Sequence, residues 1–213
     1  LMKNDRGLVG EVVIVFNLFM ISIWVLPQGF GQCVGSLLTL AIIFISWRCR
    51  KDTLTDLGIQ PKDFCQTKPI FVFISVSFVV IVLLATVVNP GIEKQSEIWL
   101  RIRGAIGGYI VWAFFQQLVF QGYFANRLYK ASGNRIWPAA ITSAAVFSLI
   151  HFPNPLLMIG TFYLGIGASY FFLKSRNLYL ATLTQAILAP CWKWLILKAL
   201  STNAMRVGPG FWQ

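Results

Sequence analysis

The sequence predicts an all-α protein, a polytopic transmembrane helical bundle of about seven spans. Three observations carry that prediction. Hydrophobic residues make up 57% of the chain and charged residues 12%, with a mean hydropathy of +0.69, which is too apolar for an ordinary soluble domain. Seven stretches are long and apolar enough to be read as spans. The basic residues, finally, favour the loops on one side of those spans. With no Ser/Gly-rich linker, low-complexity tract or internal repeat, residues 1–213 read as a single integral membrane domain.

The first span, Leu8–Leu26, follows Lys3 and Arg6 much as a signal peptide would. Its apolar run extends about 17 residues beyond Gly7 and ends in VLPQGFGQ, without a small-x-small cleavage pattern, so a retained helix is expected. Glu11, near its start, is expected at headgroup level. The second span, Cys33–Trp47, and the fifth, Trp137–Phe152, fall short of the ~20 residues a helix needs to cross the hydrocarbon. Tilted or partly re-entrant helices are the expectation there. The third, fourth and sixth are Pro69–Val88, Gly104–Phe124 and Pro155–Leu173. The seventh, Leu178–Leu197, is interrupted by Pro190 and Lys193, which fit a kinked helix end with a snorkelling lysine better than a transport pathway.

With the N-terminus in the cytoplasm, twelve of the eighteen basic residues lie inside, among them Arg48, Arg50, Lys51, Lys62, Lys68, Arg127, Lys130, Arg135, Lys174 and Arg176. That bias sets the expected orientation. The net charge of +11 is mostly this asymmetry. Because the charges are scattered over short loops, no nucleic-acid partner is expected, and a mild preference for anionic lipid is. The four cysteines, Cys33, Cys49, Cys65 and Cys191, have no metal-like spacing and read as free thiols. Trp47, Trp99, Trp137, Trp192 and Trp194 lie near span ends and read as an interfacial belt.

Polar residues within the spans are the functional candidates. No Asp or Glu follows Glu97, and the only histidine is His151. In FFQQLVFQGYF, residues 114–124, Gln117 and Gln121 are four apart and would share a helix face, with Gln116 beside it. A neutral amide in so apolar a stretch is costly unless something answers it. Counting ~1.5 Å per residue from the nearest basic anchor puts Gln116, His151 and Gln185 at roughly 21, 24 and 14 Å depth. Three separate helices thus bring polar groups to similar levels, and the glutamines are expected to face one another and His151.

QQLVFQG, then FSLIH, then NLYLATLTQAILA resemble, in order and register, the three motifs of the CAAX-protease and bacteriocin-processing family of integral membrane peptidases, also called Abi. Its first motif is Glu-Glu-x-x-x-Arg followed by Gly, and Gln116, Gln117, Gln121 and Gly122 occupy those places. The second is Phe-x-x-x-His, matched by Phe147 and His151. The third is His-x-x-x-Asn or Asp, where Gln185 and Ala189 stand. TDLGIQP at 55–61 and the segment 163–186 support the likeness, which covers about residues 50–192 and implies a CAAX-protease-like bundle.

In that family a glutamate activates water for attack on a peptide carbonyl, while histidines and an Asn position it or stabilise the oxyanion. General-base catalysis needs a group that takes a proton near neutral pH, and an amide does not. A catalytic metal needs three or four ligands, and one His without a carboxylate does not supply them. Only Phe147 and His151 survive, so no intact catalytic set is expected at Gln116, Gln117, Gln121, His151, Gln185 and Ala189. Loss of the arginine at Gln121 fits loss of the carboxylates it would have balanced. The same positions, with Phe147, become candidate binding residues.

The plainer account of the glutamines is interhelical hydrogen bonding, worth about 0.6 kcal/mol each and at most about 2. His151 then reads as a packing histidine before it reads as an axial ligand to a pigment or haem. No cofactor and no metal is expected. The leading expectation is a pseudoprotease acting as a binding, scaffold or assembly subunit of a membrane complex, with membrane lipids and other membrane subunits as partners. A divergent active intramembrane endopeptidase and a pigment- or quinone-binding subunit are the alternatives. The expected location is a bacterial inner (cytoplasmic) membrane.

Overall fold

The computed structural model describes residues 2–60, 67–200 and 205–212. Its α-helices are α1 (Met2–Trp24), α2 (Phe30–Cys49), α3 (Thr67–Val88), α4 (Ser96–Val119), α5 (Asn126–Ala131), α6 (Ile136–Leu149), α7 (Pro155–Ser175) and α8 (Leu178–Cys191). A π-helical turn, Phe120–Ala125, fuses α4 and α5 into one rod, Ser96–Ala131, and a second, Trp192–Leu197, extends α8. There is no strand among the described residues, and six helices are long and apolar enough to cross a membrane. The described residues thus form the all-α bundle of membrane-spanning helices that the sequence predicts.

Three spans depart from the limits the sequence suggested, the first of them because α1 begins at Met2 rather than Leu8. The second is no short segment, since α2 runs 20 residues. The fourth outgrows Gly104–Phe124 at both ends because charges that look like stop signals are satisfied inside the helix. Arg101 pairs with Glu97 one turn earlier at 2.5 Å, and Arg127 is drawn into the interior. The fifth is indeed short. With 14 residues, α6 spans about 21 Å, and the chain turns back at 150–154 into α7.

Local signals explain the turns. Asn154 Oδ1 accepts from Leu157 N and Pro155 opens α7, while Asn177 Oδ1 accepts from Leu180 N to start α8. α6 and α7 pack as the closest pair. A Cβ at Gly165 would lie 3.0 Å from Ala144 Cα, so a larger residue there would push these two backbones slightly apart. Gly58 (φ +73°) accepts from Leu178 N at 3.0 Å, tying the α2–α3 loop to the start of α8. In that loop Thr53 N and Oγ1 both donate to Asp56 Oδ2. Partial burial would raise the Asp56 carboxyl, but these bonds and the charges of Lys130 and Arg176 outweigh it and hold its pKa below the usual range.

The α1–α2 hairpin is fastened at two ends. At the hairpin's open end, beside the α2–α3 loop, Arg127, fully buried, lies between Glu11 (Nε to Oε1, 3.1 Å) and Asp52 (Nη2 to Oδ2, 2.6 Å). Ser46 Oγ donates to Glu11 Oε1, Arg50 Nη2 reaches Glu11 Oε2 at 2.8 Å, and Lys130 Nζ reaches Asp52 Oδ1 at 2.8 Å. The Tyr123 ring lies under the guanidinium, 5.3 Å from Cζ, and its hydroxyl donates to Glu11 O. Glu11 therefore turns inward rather than standing free among headgroups. Arg127, grouped above with the loop cations, is a core residue. At the far end, residues 205–212 form a strap, with Gly208 N donating to Phe152 O at 2.9 Å and Asn154 Nδ2 to Arg206 O.

Not all the tryptophans are a simple belt. Trp47 Nε1 donates to Gly122 O and Trp192 Nε1 to Leu156 O, so both stitch helices together, while Trp137 stays exposed. Cys33 and Cys49 are exposed and Cys191 is buried, all as free thiols, whereas Cys65 and Lys62 lie outside the described residues.

Arg127→Met should destabilise the protein by about 3 kcal/mol, because a single substitution strands buried carboxylates. Adding Glu11→Gln and Asp52→Asn should restore most of the loss. Thermal unfolding in mild detergent checks this; equal loss in the single and triple variants would contradict a charge-pairing role.

Candidate functional site

The sequence places Gln116 and Gln117 on α4 and Gln185 on α8, and the packing of these helices brings the three together. Gln117 Nε2 donates to Gln185 Oε1, and Gln185 Nε2 donates to Gln116 Oε1 and, at 2.9 Å, to the Tyr109 hydroxyl. The Tyr109 hydroxyl lies 3.5 Å from Gln116 Oε1. The result is a ladder of neutral amides across the α4–α8 interface. Gln117 and Gln185 are 3% and 4% exposed, so each bond stands in for one that water would otherwise make. The Gln117 Oε1 remains a buried acceptor without a donor among the described residues.

Gln121 does not join the ladder. It lies on the π-helical turn that begins at Phe120, where the 3.6-residue period of α4 is interrupted. Its side chain is buried, its Oε1 has no donor among the described residues, and it lines neither cavity described below.

His151 sits in the turn after α6. Its Nδ1 is 2.6 Å from Phe147 O, and its ring stands edge-on to Phe147, which packs on Phe120. A carbonyl only accepts, so Nδ1 carries the hydrogen, and the neutral ring presents Nε2 as a bare lone pair. The ring does not hydrogen-bond to the glutamines. It meets them across space instead: His151, Tyr109, Gln116, Gln185 and Ala189 line one recess of about 20 Å³, room for about one water.

Beside this recess is a larger cavity of about 520 Å³, and the two share Tyr109, Gln116, His151 and Met205 as a wall. Apart from Ser36, its other walls are apolar, including Phe19 and Ile23 of α1, Leu40 of α2, Trp112 and Phe115 of α4 and Phe120 of the π-helical turn. Leu40, Trp112 and Phe115 are exposed, so the cavity opens sideways between α2 and α4. Met205 and Val207 of the strap close part of it.

No carboxylate lines either space, and among the described residues no three His, Cys, Asp or Glu side chains come together. The site offers amide N–H donors, a phenol and an imidazole lone pair. It can orient a polar group and hold a water; it has no acid–base pair. Sequence reasoning missed Tyr109, although its position seven residues before Gln116 places it two turns away on the same face. It also missed the strap, whose short, irregular segment carries no periodic signal.

The comparisons agree with the motif reading. A family model described as type II CAAX prenyl endopeptidase Rce1-like matches residues 75–189, just over half the chain and inclusive of all three motif regions. No curated protein and no solved structure matches. The chain belongs to the Rce1-like family of type II CAAX prenyl endopeptidases.

Proposed function

We propose that this chain is a pseudoprotease: a CAAX-protease-like membrane protein that does not hydrolyse peptides and instead acts as a binding, scaffold or assembly subunit in a membrane complex. The observation that carries this is the amide ladder. At the positions where the family's motif has its glutamates and second histidine, Gln116, Gln117 and Gln185 hydrogen-bond to one another and to Tyr109. Those groups are engaged in holding α4 against α8, and none can accept a proton from water. The old substrate space is kept, with neutral walls, which suits a lipid-like ligand or a segment of a partner.

One observation favours a second reading, a divergent active endopeptidase. His151 presents Nε2 toward a recess that accommodates one water, the arrangement a histidine base requires. Against it, no carboxylate backs the ring, and no residue at hand is a nucleophile or metal set.

For orientation we propose the N-terminus and the α2–α3 loop on the cytoplasmic side of a bacterial inner membrane, from the distribution of basic residues. Cys33 and Cys49 are exposed near opposite ends of α2, about 24 Å apart along its axis. In single-cysteine variants of intact cells, an impermeant maleimide should label Cys33, and Cys49 only after permeabilisation. The reverse pattern would invert the topology.

The neutralised-site reading is tested by cleavage of a panel of prenylated and leader-type membrane-anchored peptides. Wild type should show no turnover. Gln117→Glu should also be inactive, because the new carboxylate would face Gln185 with no positive side chain beside it to hold its charge. The combination Gln116→Glu, Gln117→Glu, Gln121→Arg, Gln185→His and Ala189→Asn restores the family's complement and is the variant expected to recover hydrolysis. Wild-type turnover abolished by His151→Ala would establish the second reading instead.

A further inference from the structure

We infer that the cavity beside the amide ladder binds an uncharged single-chain lipid bearing a terminal hydroxyl. This rests on the proposal that the site binds rather than cleaves, and it names the ligand's chemistry.

Gln116 lines the cavity; its Oε1 already accepts from Gln185 and lies against the Tyr109 hydroxyl, while its Nε2 makes no hydrogen bond among the described residues. His151 uses Nδ1–H on Phe147 O, which leaves Nε2 as an acceptor on the same wall. The wall therefore offers one unengaged donor and one unengaged acceptor. Among the head groups of uncharged lipids, a hydroxyl is one that answers both, accepting from Gln116 and donating to His151. A carboxylate would answer only the donor and would arrive charged, with no cation lining the cavity to meet it. An ester, ether or quinone carbonyl would leave His151 Nε2 unanswered.

The remainder of the cavity fixes the rest of the ligand. Its volume of about 520 Å³ is within the usual range for small-molecule sites, and apart from the shared polar wall and Ser36 its lining is apolar. The exposed Trp112, Phe115 and Leu40 at the lateral opening let a chain continue into surrounding acyl chains without passing water. A long-chain alcohol is the simplest member of this class.

The test uses the full chain in nanodiscs and a photoreactive diazirine analogue of hexadecanol. Labelling should be saturable and should map to the cavity walls at Trp112, Phe115 or Phe120. Unlabelled hexadecanol should compete about tenfold better than its methyl ether or palmitate, the effect of one hydrogen bond left unmade. Gln116→Leu and His151→Phe should each abolish that preference while labelling by the apolar chain persists. Equal competition by alcohol and ether on wild type, which needs no variant to fold, would overturn the hydroxyl assignment, as would labelling that is unsaturable or lies elsewhere. Peptide turnover by wild type would instead sink the pseudoprotease reading, so the two failures are distinguishable.

Discussion

Away from water, every polar group must be answered from within the chain, and the interior of this bundle is organised around that constraint. It is met in two chemically different ways at two levels. Beside the α2–α3 loop, ionised groups answer one another: Arg127, fully buried, is flanked by Glu11 and Asp52, with Arg50, Lys130 and Ser46 completing the set. Deeper in the bundle no charge is present, and amides and a phenol answer one another across α4 and α8. The rod formed by α4, the π-helical turn and α5 carries both sets, so its register couples them. The turn at Phe120–Ala125 rotates the chain between the two levels, letting Gln116 and Gln117 face α8 while Tyr123 and Arg127 face α1.

This division explains why the α1–α2 hairpin can leave a large space beside α4 without falling away. It is fastened by ion pairs at its open end, beside the α2–α3 loop, and meets the strap at the other, where Gly208 packs on Ile23 and hydrogen-bonds to Phe152. Between those fastenings the helices diverge around the cavity. Fixed ends and an open middle are what a site reached from the side requires.

The sequence displayed much of this and concealed some of it for physical reasons. Span existence was readable because long apolar runs have few alternative fates, and the motif register placed Gln116, Gln117 and Gln185 correctly on facing helices. The limits of the fourth span were not readable, because Arg101 and Arg127 look like helix-ending charges until their partners are known. Glu11 and Asp52 are 116 and 75 residues from Arg127, and nothing local announces such a pairing. The π-helical turn that carries Gln121 was not readable, because such a turn has no clear signature in a run of aromatic side chains. Tyr109 was available to the same helical spacing that found Gln117; it was overlooked because a tyrosine in an apolar span passes for ordinary packing.

The glutamines admit a purely architectural account, and the cavity is what weighs against it. Interhelical amide bonds of about 0.6 kcal/mol each can hold α4 to α8 with no space beside them. If that were their whole role, the recess and the 520 Å³ cavity would be free to close, and small residues or tighter side chains there would gain packing. Instead the ladder ends at residues of the cavity wall, where Gln116 Nε2 and His151 Nε2 make no hydrogen bond among the described residues. Replacing glutamates by glutamines removes charge while keeping shape, which preserves the space and changes only what it accepts. Not every group is satisfied, since Gln117 Oε1 has no donor among the described residues, but Gln117 and Gln185 bond to one another and Gln185 bonds to Gln116, so a group facing a ligand on that wall would be held in place by those behind it.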